Sequence, residues 1–393
     1  TIFDAWADEP WVNDGAAVRV SLVCFGSARS ATRHADVAQT PLRADSLLPH
    51  TAQAACNLDG MPVERINADL NGGAANSVNV IHANKLKDNK GTSFQGPVLV
   101  GPFEVEFQEA LPWLDQPNPN GFQNKEVLHP LINGKDIANR SRGLWVVDFD
   151  NRTEAESSLF ERPFEYVKKE VKPLRDSNRD ESRRTRWWLH GRLGTDWRAA
   201  VKRVDRYIAT SRVAKHRVFA WFPSVAWPSD AVVGIARGDD TTFGILHSRF
   251  HELWSLRMCT WLGVGNDPRY MPTTCFETFP FPAYLTPKDT ADWHGVIPAD
   301  CPVKGVAEKI AAAAEKLNSL REAWLNPPEW VEWVITPEEE KAGFPKRPVA
   351  KPGHEADVKK RTLTNLYNTR PAWLDMAHKA LDATVAEAYG WTD

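Results

Sequence analysis

No run in this 393-residue chain approaches the roughly 20 consecutive apolar residues that a bilayer crossing requires. No charged-then-apolar leader opens it. These absences lead to the expectation of a soluble, cytoplasmic protein with no membrane partner. Cysteine is scarce. Cys24, Cys56, Cys259, Cys275 and Cys301 never fall at C-x-x-C spacing, which argues against a disulfide framework and against a zinc site. The G-x-G-x-x-G turn, the Walker loop and the Gly-x-Ser-x-Gly elbow are all missing. His251-Glu252 begins like a metalloprotease motif, but Leu253-Trp254-Ser255 follows without a second His. Catalytic, cofactor-binding and metal-ligating residues are each read as none.

What is present is ordinary globular material. Apolar residues make up 42% and charged residues 25%, which excludes a disordered or fibrous chain. The length suits two or three domains and a sizeable core. Seventeen tryptophans are many for this size. The chain opens at Thr1 directly in patterned sequence, which fits a piece of a longer polypeptide. The net charge of -3 hides an uneven distribution. Residues 140–217 hold 20 Lys and Arg against 12 Asp and Glu, whereas the flanking segments are acidic. A basic segment between acidic ones is a candidate footprint for a polyanion, although alternating Glu and Arg also suits a solvated helical face.

Local patterns sketch the elements. Ala16–Gly26 reads as a buried strand entered from an Asn13-Asp14-Gly15 turn. Residues 27–55 are polar and without period. Asp59-Gly60 signals a hairpin within the short strands of 57–72. Residues 91–143 read as loop-rich, with turns at Pro117–Gly121 and at Asn133-Gly134. Leu144–Phe149 reads as a strand. Helical spacing covers Glu154–Val171, ended by Pro173, then Ser182–Ile208 with Trp187, Trp188 and Trp197 as anchors, and Thr242–Leu262. Val213–Phe222 and Ala231–Ala236 read as strands. Phe276–Pro282 reads as an aromatic-proline linker. Helices follow at Val303–Trp324 and Ala372–Tyr389, with the Pro-rich stretch 326–361 as an exposed excursion. No internal repeat is visible.

Asn326-Pro327-Pro328-Glu329 invites comparison with the Asn-Pro-Pro-aromatic loop of amino-methyltransferases, whose ring stacks on an extruded base. Its fourth position is Glu, which cannot stack, and it follows a helix. A helix stop and Pro-rich turn is the better reading. The remaining chemistry is recognition chemistry. Lys215, His216 and Arg217 open a strand-like run. Arg249, His251 and Arg257 share one helical stretch, and Arg269, Tyr270, Thr273 and Thr274 lie beyond it. Arg and Lys pair with guanine or phosphate, and hydroxyls reach phosphate oxygens. These ten residues are the candidate DNA-binding set.

Several blocks resemble one family. Trp11–Ser21, Pro119–Gly121 through Pro130–Ile137, Trp145–Phe149, Glu161–Phe164 and Lys172–Arg175 are similar to the C-terminal part of large class I S-adenosylmethionine-dependent DNA methyltransferases. These include the MmeI-like restriction–modification polypeptides. The most specific block runs Phe243–Trp254, Arg269–Thr274 and Phe276–Pro282, and Leu363–Asn368 to Ala388–Trp391 also matches. The family's glycine-rich cofactor loop, its aromatic catalytic loop and its N-terminal nuclease motif have no counterpart here.

The resemblance implies a mixed α+β fold in three parts. Residues 1–120 would be the last strands of the methyltransferase domain and a connecting segment. Residues 121–285 would be a target recognition domain, and 286–393 a C-terminal helical region. It implies double-stranded DNA as partner, an upstream methyltransferase core in the same polypeptide, and a bacterial restriction–modification system. The parent would methylate adenine using S-adenosylmethionine, with no cofactor in this fragment, which alone would be inactive. Two alternatives remain: a docking module of such a complex, or a fragment that keeps methyltransferase activity.

Overall fold

A computed structural model provides the structure, which describes residues 2–13, 16–26, 56–67, 70, 72, 83–262, 267–293 and 295–391. The expected turn at 14–15 and the polar stretch 27–55 lie outside the described residues. The architecture is α+β. The described chain divides into two compact units, one of Thr1–Asn84 with Trp261–Asp267 and one of Lys85–Thr260 with Pro268–Asp393. No helix among the described residues is long and apolar enough to cross a membrane.

In the first unit, β1 (Ile2–Asn13) pairs antiparallel with β2 (Ala16–Phe25) and parallel with β3 (Cys56–Leu58). The Asp59-Gly60 hairpin joins β3 to β4 (Met61–Val63) as the sequence predicts. Both turn residues have positive φ, 52° and 75°, the backbone a tight two-residue hairpin needs. The Asp59 carboxylate also accepts from the Ala7 N–H. β2 is a strand, but not a buried one. It forms the sheet edge, leaving Leu22 44% and Phe25 77% exposed.

The second unit holds two four-stranded sheets. One is antiparallel, built from β5 (Ser93–Gln95), β9 (Arg206–Ser211), β10 (Phe219–Pro223) and β12 (Val232–Ile235) in the order β10-β9-β12-β5. The other is built from β6 (Glu104–Glu106), β7 (Leu128–Ile132), β8 (Leu144–Val147) and β11 (Trp227–Pro228) in the order β11-β7-β8-β6. Apolar residues of β9, β10 and β12 pack in one core with the long helix α5 (Lys304–Leu325) and with α7 (Ala372–Ala388). A second core, rich in tryptophan, lies on β6–β8 and takes Phe160, Phe164 and Val167 from the 154–171 region and its helix α1 (Glu161–Glu170).

Several predicted helices are broken, each for a local reason. The 154–171 helix is two, Glu154–Ser158 and α1, separated at Leu159-Phe160. Pro173 does not end it. It sits in the first turn of a further helix, Lys172–Asp176, where its missing N–H costs nothing. The predicted helix 182–208 is a short helix at Glu181–Thr185, an irregular buried stretch, then α2 (Thr195–Val201) and β9. Gly194 with φ +67° marks the break, and Trp187 and Trp188 pack into a different core from Trp197. The 242–262 helix splits into α3 (Asp240–His247) and α4 (Arg249–Met258), because Ser248 leaves helical geometry to cap α4.

Other expectations shift in the same way. Asn133-Gly134 is not an open turn. Asn133 caps the helix Gly134–Ala138 through a reciprocal bond with Asp136. The strand expected from Val213 begins only at Phe219. The loop-rich 91–143 stretch contains β5, β6 and β7. Phe276, Phe279 and Phe281 are buried, so 276–282 is core rather than linker. The excursion 326–361 carries a Val331–Val334 to Arg347–Ala350 hairpin and buries Phe344 in the second core.

Two glycines are set by packing. A Cβ on Gly234 would stand 2.6 Å from the Trp197 ring, so β12 admits that indole only without a side chain. Gly244 gives α3 the same close approach to Ile310 on α5. Replacement of Gly234 by Ala is expected to cost about 1–3 kcal/mol through overpacking. Gly305, in α5 with nothing within 4 Å of a built Cβ, is expected to gain roughly 0.5–1 kcal/mol as Ala. Urea denaturation of the two variants should show opposite signs.

Candidate nucleic-acid interface

Arg217 is buried, where the sequence suggested a surface cation. Its guanidinium lies 4.9 Å from the Tyr270 ring centroid. It donates to Thr210 Oγ1, to the Ser211 carbonyl and to the Pro268 carbonyl. The Tyr270 N–H donates to the Arg212 carbonyl at 2.7 Å, and Val213 bridges to Arg269. The segment after β9 is thereby fastened along residues 268–270. Burial lowers the Arg217 pKa, with Tyr270 opposing, yet a guanidinium stays charged in a protein.

The fastening continues into α4. Tyr270 Oη lies 3.1 Å from His251 Nε2, and His251 Nδ1 lies 3.1 Å from the Leu246 carbonyl. A carbonyl only accepts, so Nδ1 carries the imidazole proton and Nε2 accepts from the phenol. Burial holds the His251 pKa down at about 3, and the ring is neutral. One level deeper the same logic repeats. His247 Nε2 accepts from the Phe219 N–H and from Arg321 Nη1. Arg321, buried on α5, also donates to the Phe219 carbonyl at 2.8 Å. Burial, then the Arg321 charge, pushes the His247 pKa well below its usual value.

The candidate set therefore separates. Arg217, His251 and Tyr270 form one interior network and cannot meet a duplex laid on the surface in this conformation. Lys215, Arg249, Arg257 and Thr273 are exposed, and His216, Arg269 and Thr274 are partly so. Lys215 Nζ and His216 Nε2 share the Asn368 side-chain oxygen on α6 (Leu363–Thr369), at 2.8 and 2.9 Å. Arg269 lies beside them through the Val213 bridge. Arg249 starts α4, with its N–H donating to Asp382 of α7. The Asn326-Pro327-Pro328 segment is a helix stop. Asn326 accepts from Arg140 Nη1 and donates to Glu322, so its amide is committed to packing.

The network also explains what the sequence pattern was detecting. In Phe243–Trp254, residues Phe243 to Ser248 and His251 are buried. That block is a packing signature. Nothing in spacing announces that Lys87, Lys90, Arg203, Arg237 and Lys288 line one concavity; only tertiary folding gathers them.

Residues 118–283 match the family model of the MmeI target recognition domain. The whole chain superposes on part of a solved structure, the type IIL restriction–modification enzyme MmeI in complex with DNA, with a TM-score of 0.60 at 16% identity. The alignment covers 100% of this chain and 43% of that one. The shared fold agrees with the mixed α+β expectation. No curated protein matches the sequence.

The buried histidines make stability acid-sensitive. His251 is held at about 3 and His378 at about 4, against an ordinary 6.5, in each case chiefly by burial. Each takes up a proton more readily when unfolded. Their contribution is complete above about pH 6.5 and is lost as pH falls toward those folded values. Unfolding free energy measured in urea should drop between pH 7 and pH 5 by about 2 kcal/mol for each histidine that resists charging. A flat profile would contradict the assignment. Separately, Tyr270→Phe leaves His251 Nε2 unpaired and should cost about 1–3 kcal/mol.

Proposed function

We propose that residues 121–285 are a target recognition domain that grips double-stranded DNA and selects the site of a bacterial restriction–modification enzyme. Residues 1–120 are read as the last part of its methyltransferase domain with a connecting segment, and 286–393 as a helical region supporting the recognition domain. The observation that carries this reading is the match of residues 118–283 to the MmeI target recognition domain, together with a fold alignment that runs through the whole chain. The larger polypeptide would act in the cytoplasm. Its methyltransferase core would transfer the methyl group of S-adenosylmethionine to an adenine amine, and the present chain would supply register and choice of sequence.

The physical division of labour follows. A methyltransferase acting on a base amine must extrude that base, so the duplex has to be held by something else. Phosphate contacts supply affinity without sequence information, and base-edge contacts in the major groove supply specificity. Lys215 and His216, which share the Asn368 side chain, and Arg269, reached through the Val213 bridge, are accessible members of the candidate set that lie close together. The buried Arg217, Tyr270 and His251 position the segments that present them. They are positioning residues and do not touch DNA themselves.

Duplex binding by this chain should be measured by fluorescence anisotropy across a salt series. Affinity should fall steeply, with a log–log slope of about -0.9 for each phosphate neutralised. Lys215→Glu together with Arg269→Glu should weaken binding about tenfold while leaving the thermal midpoint in place. Salt-insensitive binding, or a double variant that binds as the parent does, would overturn the reading.

A further inference from the structure

One cationic concavity lies outside the candidate set. Residues 87–91, the end of α2, the segment after β12 and residues 288–292 surround a space of about 240 Å³. Lys87, Lys90, Arg203, Arg237 and Lys288 line it, against Asp88 and Asp292. Asp88 faces Lys288 at 3.6 Å. Among the described residues, no ion pair engages Lys87, Lys90, Arg203 or Arg237.

This is a held arrangement rather than a chance crowding of mobile lysines. The turn carrying Lys87 and Lys90 is pinned by the buried Asn89, whose amide donates to the carbonyls of Phe276, Glu277 and Phe279. Arg237 is fixed by bonds to the Pro287 carbonyl, the Ala236 carbonyl and Thr92 Oγ1. The Ala236 N–H in turn donates to the Thr92 carbonyl. The Arg237 guanidinium is thus partly desolvated, and each of these bonds is to a neutral oxygen. Burial lowers its pKa, with Asp239 and Asp292 opposing. An anion entering the concavity would stabilise this charge directly.

We propose that this concavity is a cradle for adjacent phosphates of a polynucleotide backbone, a second grip on nucleic acid contributed by Lys87, Lys90, Arg203 and Arg237. The proposal rests on the DNA-binding reading above and extends it to a surface no motif marked. Its walls offer cations, few acceptors and no aromatic face for a base; Ala200, Val204, Ala236 and Ala291 supply the rest. The grip is therefore one of charge, indifferent to sequence.

The test uses the full chain and its Lys90→Glu/Arg203→Glu variant, both sites being exposed. Anisotropy with two unrelated duplexes over a salt series is read alongside calorimetry with inorganic pyrophosphate and circular-dichroism melting. The cradle predicts an unchanged melt and about tenfold weaker binding to both duplexes. The salt slope should become shallower by about one unit for each phosphate no longer neutralised, and the variant should fail to bind pyrophosphate. A variant that binds duplex as the parent does, or loses affinity for only one sequence, overturns the proposal. If the parent binds duplex and the variant loses only pyrophosphate, the cradle falls and the DNA-recognition reading stands; if the parent binds pyrophosphate but no duplex, the concavity is an anion site only and both readings fall. If the parent binds neither, both fall.

Discussion

Guanidiniums buried without a carboxylate partner, Arg217 and Arg321 among them, set the terms for the second unit. Neither Arg217 nor Arg321 takes part in an ion pair among the described residues, and both are held by carbonyls, a hydroxyl or a histidine nitrogen. Removing one acceptor from such a charge leaves it uncompensated in a medium that penalises it heavily. The surrounding segments are therefore tied to the positions of these two side chains. Arg321 ties α5 to the backbone of Phe219 and to His247 on α3. Arg217 ties the segment after β9 to residues 268–270, and Tyr270 passes the constraint to α4 through His251. The nearby histidines stay neutral chiefly because they are buried, and the guanidinium charges beside them act in the same direction.

The surface follows from this interior. Lys215, His216 and Arg269 occupy backbone that would otherwise be free loop. Their places are fixed from beneath by Arg217 and from the side by Asn368. A recognition surface needs this kind of support, because a side chain that reads a base edge must be held to within a fraction of an ångström. The phosphate cradle is built by the same device. Asn89, bonded to carbonyls, pins the turn that carries the exposed Lys87 and Lys90, and Arg237, bonded to carbonyls in turn, lines the same concavity as Arg203.

Legibility in the sequence followed the range of the interactions. The Asp59-Gly60 hairpin and the helices α5 and α7 were visible because each is specified by neighbours in the chain. Breaks inside apparent helices were not. Trp187, Trp188 and Trp197 have helical spacing but bury into different cores, a tertiary fact with no local signature. Among the candidate site residues, type was legible and location was not. Arg217 and Tyr270 are as polar as Lys215 and Arg269, and only packing shows that the first pair faces inward. The cradle was invisible for the opposite reason. Its lysines and arginines lie far apart in the chain, from Lys87 to Lys288, and no periodicity links them.

The most direct test is lysine-modification mapping of the chain with and without duplex DNA, read by mass spectrometry. The account predicts that DNA shields Lys215, Lys87 and Lys90, and leaves Lys341, held to Asp115 elsewhere on the second unit, as reactive as before. Shielding that misses Lys215 while appearing at Lys341 would contradict it.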